Sequence, residues 1–301
     1  MSSQLAPACP ACGNDSTHPI LRLNVPFARG DRLTARVFAC RECTHRFLPI
    51  TEEEQRRVDA HYDRDYMGYR FDPFFAARIR DEVARQLVPR VPPPARVLDV
   101  GCGAGEFMRA AAAAGYQVEG VDISEAAAEH CRGLGLHATS GDFLTMPFAE
   151  RYSMVTMWDV VEHLRSPEAF LRRAREILVP GGALVLKIPG YGPLSYRAIA
   201  IYPRLASTVI GAPGHQQYFT PRSLRTLLAR CGYENAEWLG SGRFRSKPAT
   251  RSVKKLIGRT LTAAVNRVAR NGNLYIAAYA AKPADATAHA SSGRTASAAA
   301  E

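Results

Sequence analysis

Three groups of side chains in this chain have the types and spacing to do chemistry. Cys9-Pro-Ala-Cys12 and Cys40-Arg-Glu-Cys43 are two CxxC knuckles, each able to offer two thiolates to one tetrahedral ion. Together they close the shell and leave no open position, which makes such a site structural and the ion zinc. A disulfide or redox reading needs an oxidising compartment, for which the sequence gives no sign. Cys102, Cys131 and Cys231 lack metal spacing and read as small buried residues. The second group is Asp159, Glu162 and His163, all competent to hold a metal or a proton, with His215 much later in Gly-His-Gln-Gln-Tyr-Phe-Thr-Pro. The third is a set of carboxylates, Asp99, Asp122 and Asp142, spread through a region that alternates strand and helix patterns.

The elements that position these groups centre on Val97 to Gly105, Val-Leu-Asp-Val-Gly-Cys-Gly-Ala-Gly. Arg96 to Val100 is an apolar strand, the glycines at 101, 103 and 105 force a tight turn, and Glu106 to Ala114 reads as a helix of good formers. Such a strand, glycine loop and helix brings backbone amides up to a ligand. A dinucleotide fingerprint wants its third glycine at 106, where a glutamate stands near a helix N-terminus, so a diphosphate ligand is disfavoured. A second strand, Gln117 to Val121, ends at Asp122, where an acid at a strand tip can take both hydroxyls of a ribose.

These pieces, in this order from about Val97 to Leu228, resemble the class I S-adenosylmethionine-dependent methyltransferases. The resemblance implies a Rossmann-like α/β fold with a mostly parallel seven-stranded sheet and helices on both faces. It implies S-adenosylmethionine as cofactor, with Asp99 towards the methionine ammonium group, Asp122 on the ribose and Gly141-Asp142-Phe143 at the adenine. Gly101, Cys102, Gly103, Gly105, Ile123 and Trp158 complete the implied contact set. Asp159, Glu162, His163 and His215 are similar to a subgroup that includes ubiquinone-biosynthesis and small-RNA 2′-O-methyltransferases, in which such residues hold a divalent ion; magnesium or manganese would suit the mostly hard ligands. Asp159 departs from the glutamate usual there. Without a metal, His163 alone could serve as general base. The ribbon, the methyltransferase region and a closing His-Gln-Gln-Tyr-Phe-Thr-Pro helix together resemble bacterial methyltransferases of sugars, polysaccharides and secondary metabolites.

The leading expectation is therefore O-methylation of a hydroxyl on a sugar, glycan or lipid-linked intermediate. A quinone-type phenol methylated at the membrane surface is the second. The third, from another class, is a zinc-ribbon binding protein with a non-catalytic cofactor domain.

At 301 residues the chain can bury one substantial core and a small accessory module. The reading divides it into a zinc ribbon over 1–50, an aromatic-rich connector over 51–94, a methyltransferase domain over 95–282 with an insertion at 190–219, and a disordered tail over 283–301. The connector begins with a helix start at Thr51-Glu52-Glu53-Glu54; its Tyr62, Tyr66, Tyr69, Phe71, Phe74 and Phe75 are either core packing or a lid. Ser166-Pro167 and Thr220-Pro221 each place a capping side chain before a proline, starting helices at Glu168 to Leu178 and Arg222 to Arg230. Later strands are expected at Tyr152 to Met157, Ala183 to Ile188, Glu234 to Leu239 and Asn273 to Ala281.

No signal peptide or spanning segment is legible, which points to a cytoplasmic protein; Leu194 to Ala212, broken by Arg197 and Arg204, could lie on a membrane but not cross one. The net charge is +11, and between Trp238 and Ala284 ten basic residues occur without an acid. That run, densest over 243–270, is either a solvated helix face or a docking surface for phosphate-bearing substrates, lipid head groups (a peripheral membrane contact) or nucleic acid. No aromatic platform interleaves with it, which lowers the case for single-stranded nucleic acid, and no RNA-binding module is recognisable; the small-molecule or glycan acceptor is what the resemblance implies.

Overall fold

A computed structural model describes residues 6–26, 32–57, 79–148, 151–189, 210–238 and 275–283. The connector aromatics from Tyr62 to Phe75, residues 190–209 of the insertion, the basic run over 243–270 and the tail from 284 on lie outside the described residues.

Apolar strands alternating with amphipathic helices build the larger sheet. It runs β10 (Glu234–Trp238), β11 (Tyr275–Ala281), β8 (Leu178–Pro189), β7 (Tyr152–Trp158), β4 (Arg96–Val100), β5 (Gln117–Asp122), β6 (His137–Ser140). The five strands from β8 to β6 are mutually parallel, whereas β11 is antiparallel to β8 and β10 to β11. Strand order reverses between β4 and β7, so a crevice opens beyond their C-terminal ends.

Period-two alternation sorts the strand residues to two faces. Leu98, Val100, Val155, Met157, Leu184, Leu186 and Ile188 meet Leu171 and Ile177 of one helix (Pro167–Ile177) and Leu224, Leu227 and Leu228 of another (Pro221–Arg230). Val97, Met154 and Val185 meet α1 (Glu106–Ala113), Cys131 of α2 (Glu125–Gly133), and Ile79, Val83 and Leu87. The helices Pro167–Ile177 and Pro221–Arg230 are α3 and α4.

Thr220 caps α4 as expected, in a box with Ser223 at 3.2 and 2.9 Å. Ser166 makes no side-chain cap; proline at the first position alone starts α3. Thr51 and Glu54 form a capping box at the head of a short helix over 52–57.

The smaller sheet carries the ribbon. β1 (Thr17–Pro26) and β2 (Arg32–Cys40) form an antiparallel pair, and β2 pairs with β3 (Arg46–Phe47). The fourth strand comes from the other end of the chain: β9 (Gln217–Tyr218) pairs antiparallel with β3. The segment His-Gln-Gln-Tyr-Phe is therefore no helix, and α4 begins only after it, at Pro221. Its two central side chains, Gln217 and Tyr218, are both buried, one on each side of the added strand.

Candidate functional site

Each glycine of the loop after β4 adopts positive φ, +71°, +56° and +77° at Gly101, Gly103 and Gly105. At Gly101 a Cβ would come within 2.5 Å of Val160 Cγ2, so the loop closes directly on the turn that carries Glu162 and His163. The amides, however, are not held out to a ligand. Gly101 and Cys102 donate to the Val121 carbonyl at 2.7 and 3.2 Å, Gly105 to that of Cys102 at 2.9 Å, and Gly103 to Asp122 Oδ2 at 2.9 Å. The glycines serve shape and close approach here, which agrees with the absence of a diphosphate fingerprint. The Cys102 side chain turns inward and is buried in the α1 face of the core.

Asp122 ends β5 with its two oxygens tied to Gly103 and, at 3.0 Å, to the Ser124 amide; burial raises its pKa and these bonds oppose the rise. Ile123 beside it is 77% exposed, an apolar side chain standing free at the strand tips. Asp99 is buried against Thr156 Oγ1 at 2.8 Å, and burial pushes its carboxyl well above the usual range. Asp142 is exposed and closes a turn onto the Leu144 amide at 2.9 Å. Phe143 does not face the crevice: its ring packs into the core between Phe148 and Phe170, both at 5.6 Å. Trp158 ends β7, stacked on Phe107 at 5.1 Å, with its indole nitrogen buried and without a partner among the described residues.

Beyond β7 the chain turns sharply at Asp159, in the left-handed region with φ +54°, and enters a short 3₁₀ turn, Val161–His163. That turn buries Glu162 completely, and neither of its oxygens meets a hydrogen-bond donor among the described residues. Burial, with Asp159 nearby, pushes its carboxyl well above the usual range. The ligand atoms of Glu162, His163 and His215 lie within 4.8 Å of one another, and the two imidazoles meet edge to face at 4.6 Å.

His163 Nδ1 lies 3.0 Å from the Gly214 carbonyl, which can only accept, so the proton is on Nδ1 and the lone pair on Nε2. Burial holds His163 below its ordinary pKa; burial and His163 together hold His215 down to about 3. Both shifts favour the neutral imidazole. Gly211, φ +70°, makes room for His215: a Cβ there would come within 2.6 Å of the ring.

Asp159 does not join this cluster. Its carboxylate reaches Lys187 Nζ at 3.3 Å, and that lysine, 2% exposed on β8, also lies 5.6 Å from the Trp158 ring. Lys187 was absent from the residues singled out above, although a lysine inside Ala-Leu-Val-Leu-Lys-Ile-Pro is a visible anomaly in an apolar strand. Gln216 and Gln217 were missed as well. Gln216 donates from its amide nitrogens to the Glu162 and His163 carbonyls at 2.7 and 3.0 Å, and Gln217 Nε2 to that of Leu164 at 2.8 Å.

At the far end of the ribbon the four thiols converge as their spacing predicted. Cys9 and Cys43, and Cys12 and Cys40, have sulfurs 3.5 Å apart, and all four lie within 4.8 Å. Among the described residues no fifth ligand atom joins these four sulfurs, a set that suits one tetrahedral ion.

A parallel sheet with this strand order, a glycine loop and an acid at the next strand tip define a Rossmann-like methyltransferase fold. The chain belongs to the family described as "Methyltransferase domain", which matches residues 69–237. The ubiquinone biosynthesis O-methyltransferase of Ruegeria pomeroyi is 31% identical over 159 residues, 48% of this chain and 62% of that protein. Its counterpart in Psychrobacter arcticus is 26% identical over 160 residues, 48% of this chain and 61% of the relative. The match thus spans about three fifths of these relatives' own length. Among solved structures, the cyclase SpnF is 18% identical and superposes with a TM-score of 0.51 over 78% of this chain and 98% of its own. A cyclase on the same scaffold is a reminder that the sheet alone does not choose the reaction.

Proposed function

We propose that this protein is an S-adenosylmethionine-dependent O-methyltransferase whose acceptor is a hydroxyl brought to the Glu162–His163–His215 cluster. The observation that carries the reading is Glu162: a carboxylate buried without a donor among the described residues, beside two imidazoles, on a turn that Val160 presses against the glycine loop. An uncompensated buried carboxylate is costly, and a cation held by the three side chains would offset that cost.

Two imidazoles and one carboxylate fit a divalent ion, and with Asp159 engaged by Lys187 the set suits manganese or zinc better than magnesium. Such an ion lowers the pKa of a coordinated hydroxyl. The chain's own groups do the rest. Asp122 and Asp99 would hold the ribose and the methionine ammonium group, with Ile123 and Asp142, both exposed, towards the adenine. S-adenosylmethionine bound there would supply the methyl group to the acceptor oxygen and leave as a neutral thioether. With Asp159 engaged by Lys187, the acceptor proton would be released to solvent. A metal-free reading is favoured by the tautomer of His163: its Nε2 lone pair, aimed by the Gly214 carbonyl, would take the proton directly.

The names of the relatives favour a phenolic hydroxyl of the kind methylated in ubiquinone biosynthesis. A sugar or glycan hydroxyl is the alternative drawn from the ribbon. The cysteine cluster is proposed as a structural zinc site. No helix among the described residues is long and apolar enough to cross a membrane, and the basic run over 243–270 is proposed as a peripheral contact. Methyl-labelled S-adenosylmethionine incubated with catechol-type and glycan acceptors, with and without vesicles of anionic lipid, tests the reading. Label should enter an ether-linked methyl group on one acceptor class. Cofactor that fails to bind would reject the proposal.

A further inference from the structure

The two glutamines after His215 do more than fill the smaller sheet. A 3₁₀ turn of three residues leaves its last carbonyls without internal partners. Here those of Glu162, His163 and Leu164 are each taken by a donor from Gln216 or Gln217, at 2.7, 3.0 and 2.8 Å. The turn carrying two cluster residues is thus held by the strand next to the third, His215, whose own carbonyl accepts from Tyr218 Oη at 2.7 Å.

That strand is in turn held by the ribbon. β9 pairs with β3, and the Leu48 amide donates to the Gln216 carbonyl at 2.8 Å. The most specific contact is His45, two residues after Cys43. It is fully buried, stacked on Phe47 at 5.9 Å and tilted against Phe219 at 4.6 Å, with Nε2 2.9 Å from Gln217 Oε1. Gln217 donates from Nε2 to Leu164, so its Oε1 is the acceptor and His45 Nε2 carries the proton. The amide can therefore sit only one way round. Side chain by side chain, the path runs from the cysteine knuckle through His45 and Gln217 to the carbonyl following His163. The bonds of Asp99 and Asp122 run instead to Thr156, Gly103 and Ser124, within the larger sheet and its loops.

We infer that the ribbon is a positioning element for the Glu162–His163–His215 cluster, and that Gln217, gripped by His45, is the residue through which it acts. The inference rests on the reading of that cluster as the reacting centre.

The test uses full-length, zinc-loaded protein with Gln217→Ala, Gln217→Glu and His45→Gln. Gln217→Glu keeps an acceptor for His45 but loses the donor to Leu164; His45→Gln restores a donor towards Gln217. Three readouts are compared: amide hydrogen exchange across 160–164, manganese affinity by electron paramagnetic resonance with the metal alone, and S-adenosylmethionine affinity by calorimetry. Both Gln217 variants should exchange roughly tenfold faster at 162–164 and bind manganese roughly tenfold more weakly, a loss of one hydrogen bond amplified by a shared cluster. Cofactor affinity should stay within about twofold, and His45→Gln should approach wild type on all three. Wild-type exchange and manganese affinity in Gln217→Ala would overturn the inference. So would faster exchange throughout the ribbon and β7 with a matching loss of cofactor affinity, which a merely structural role predicts. If the unaltered protein binds no manganese, the divalent-ion reading fails by itself, and the exchange pattern alone decides the positioning role.

Discussion

Replacing Glu162 with glutamine removes a charge from the one fully buried carboxylate whose oxygens meet no donor among the described residues. In the metal-free protein its folded pKa lies well above the unfolded value near 4.5, because burial penalises the ion and Asp159 adds to the penalty. A raised acid contributes stability that is fully present below the unfolded pKa and is lost as pH rises towards the folded one. The slope is at most about 1.4 kcal/mol per pH unit, one proton held by the folded chain and not by the unfolded. His163 and His215 act oppositely: their folded values are lowered, so their contribution is complete above 6.5 and disappears as pH falls, for His215 towards about 3. Above pH 6.5 the histidines are therefore silent, and subtracting the variant removes the similar slopes of Asp99 and Asp122. Above pH 6.5, metal-free Glu162→Gln should therefore gain on wild type as pH rises, by no more than that slope, until the wild-type carboxyl ionises. Chelator-treated protein followed by thermal melts across that range provides the assay. A constant difference would mean that Glu162 is already ionised or partnered, and the reasoning would be refuted.

Asp122→Ala should weaken S-adenosylmethionine binding about tenfold or more by calorimetry, since it removes the proposed ribose acceptor and also releases the Gly103 amide. Cys40→Ser should abolish about one equivalent of tightly held zinc in metal analysis; retained zinc would mean that the four sulfurs do not share an ion. His163→Ala and His215→Ala should be equally damaging, about 10² to 10⁴ in turnover, if both hold an ion, and chelator should then mimic them. Chelator-resistant activity that falls only with His163→Ala would select the base reading. Gly211→Ala, forced into positive φ and towards the His215 ring, should lower manganese affinity while sparing the cofactor.

The strands and helices were legible wherever an apolar period was strong and uninterrupted, as in Arg96 to Val100 and Tyr152 to Trp158. Thr220-Pro221 announced its helix because the capping chemistry is local. The four cysteines could be grouped from spacing alone, since two CxxC knuckles fit one tetrahedron. What escaped was decided across the chain. Nothing local says that Asp159 will find Lys187, 28 residues on, and so leave the cluster to Glu162, His163 and His215. Gln217 and Tyr218 are too short a strand to carry a period; they pair because the ribbon offers β3 as an edge. The glycine loop had the right residues for the wrong reason: its amides are satisfied by Val121, Asp122 and Cys102, and its shape is what matters.

The central claim is that Glu162, His163 and His215 form one divalent centre beside the methyl donor. Crystals grown with manganese and S-adenosylmethionine, measured at the manganese absorption edge, test it most directly. An anomalous peak about 2.0–2.3 Å from a Glu162 oxygen, His163 Nε2 and a His215 nitrogen, with the cofactor's methyl group facing it, is the predicted result. Bound cofactor with no peak at the cluster, or with its methyl group turned to another part of the crevice, would contradict it.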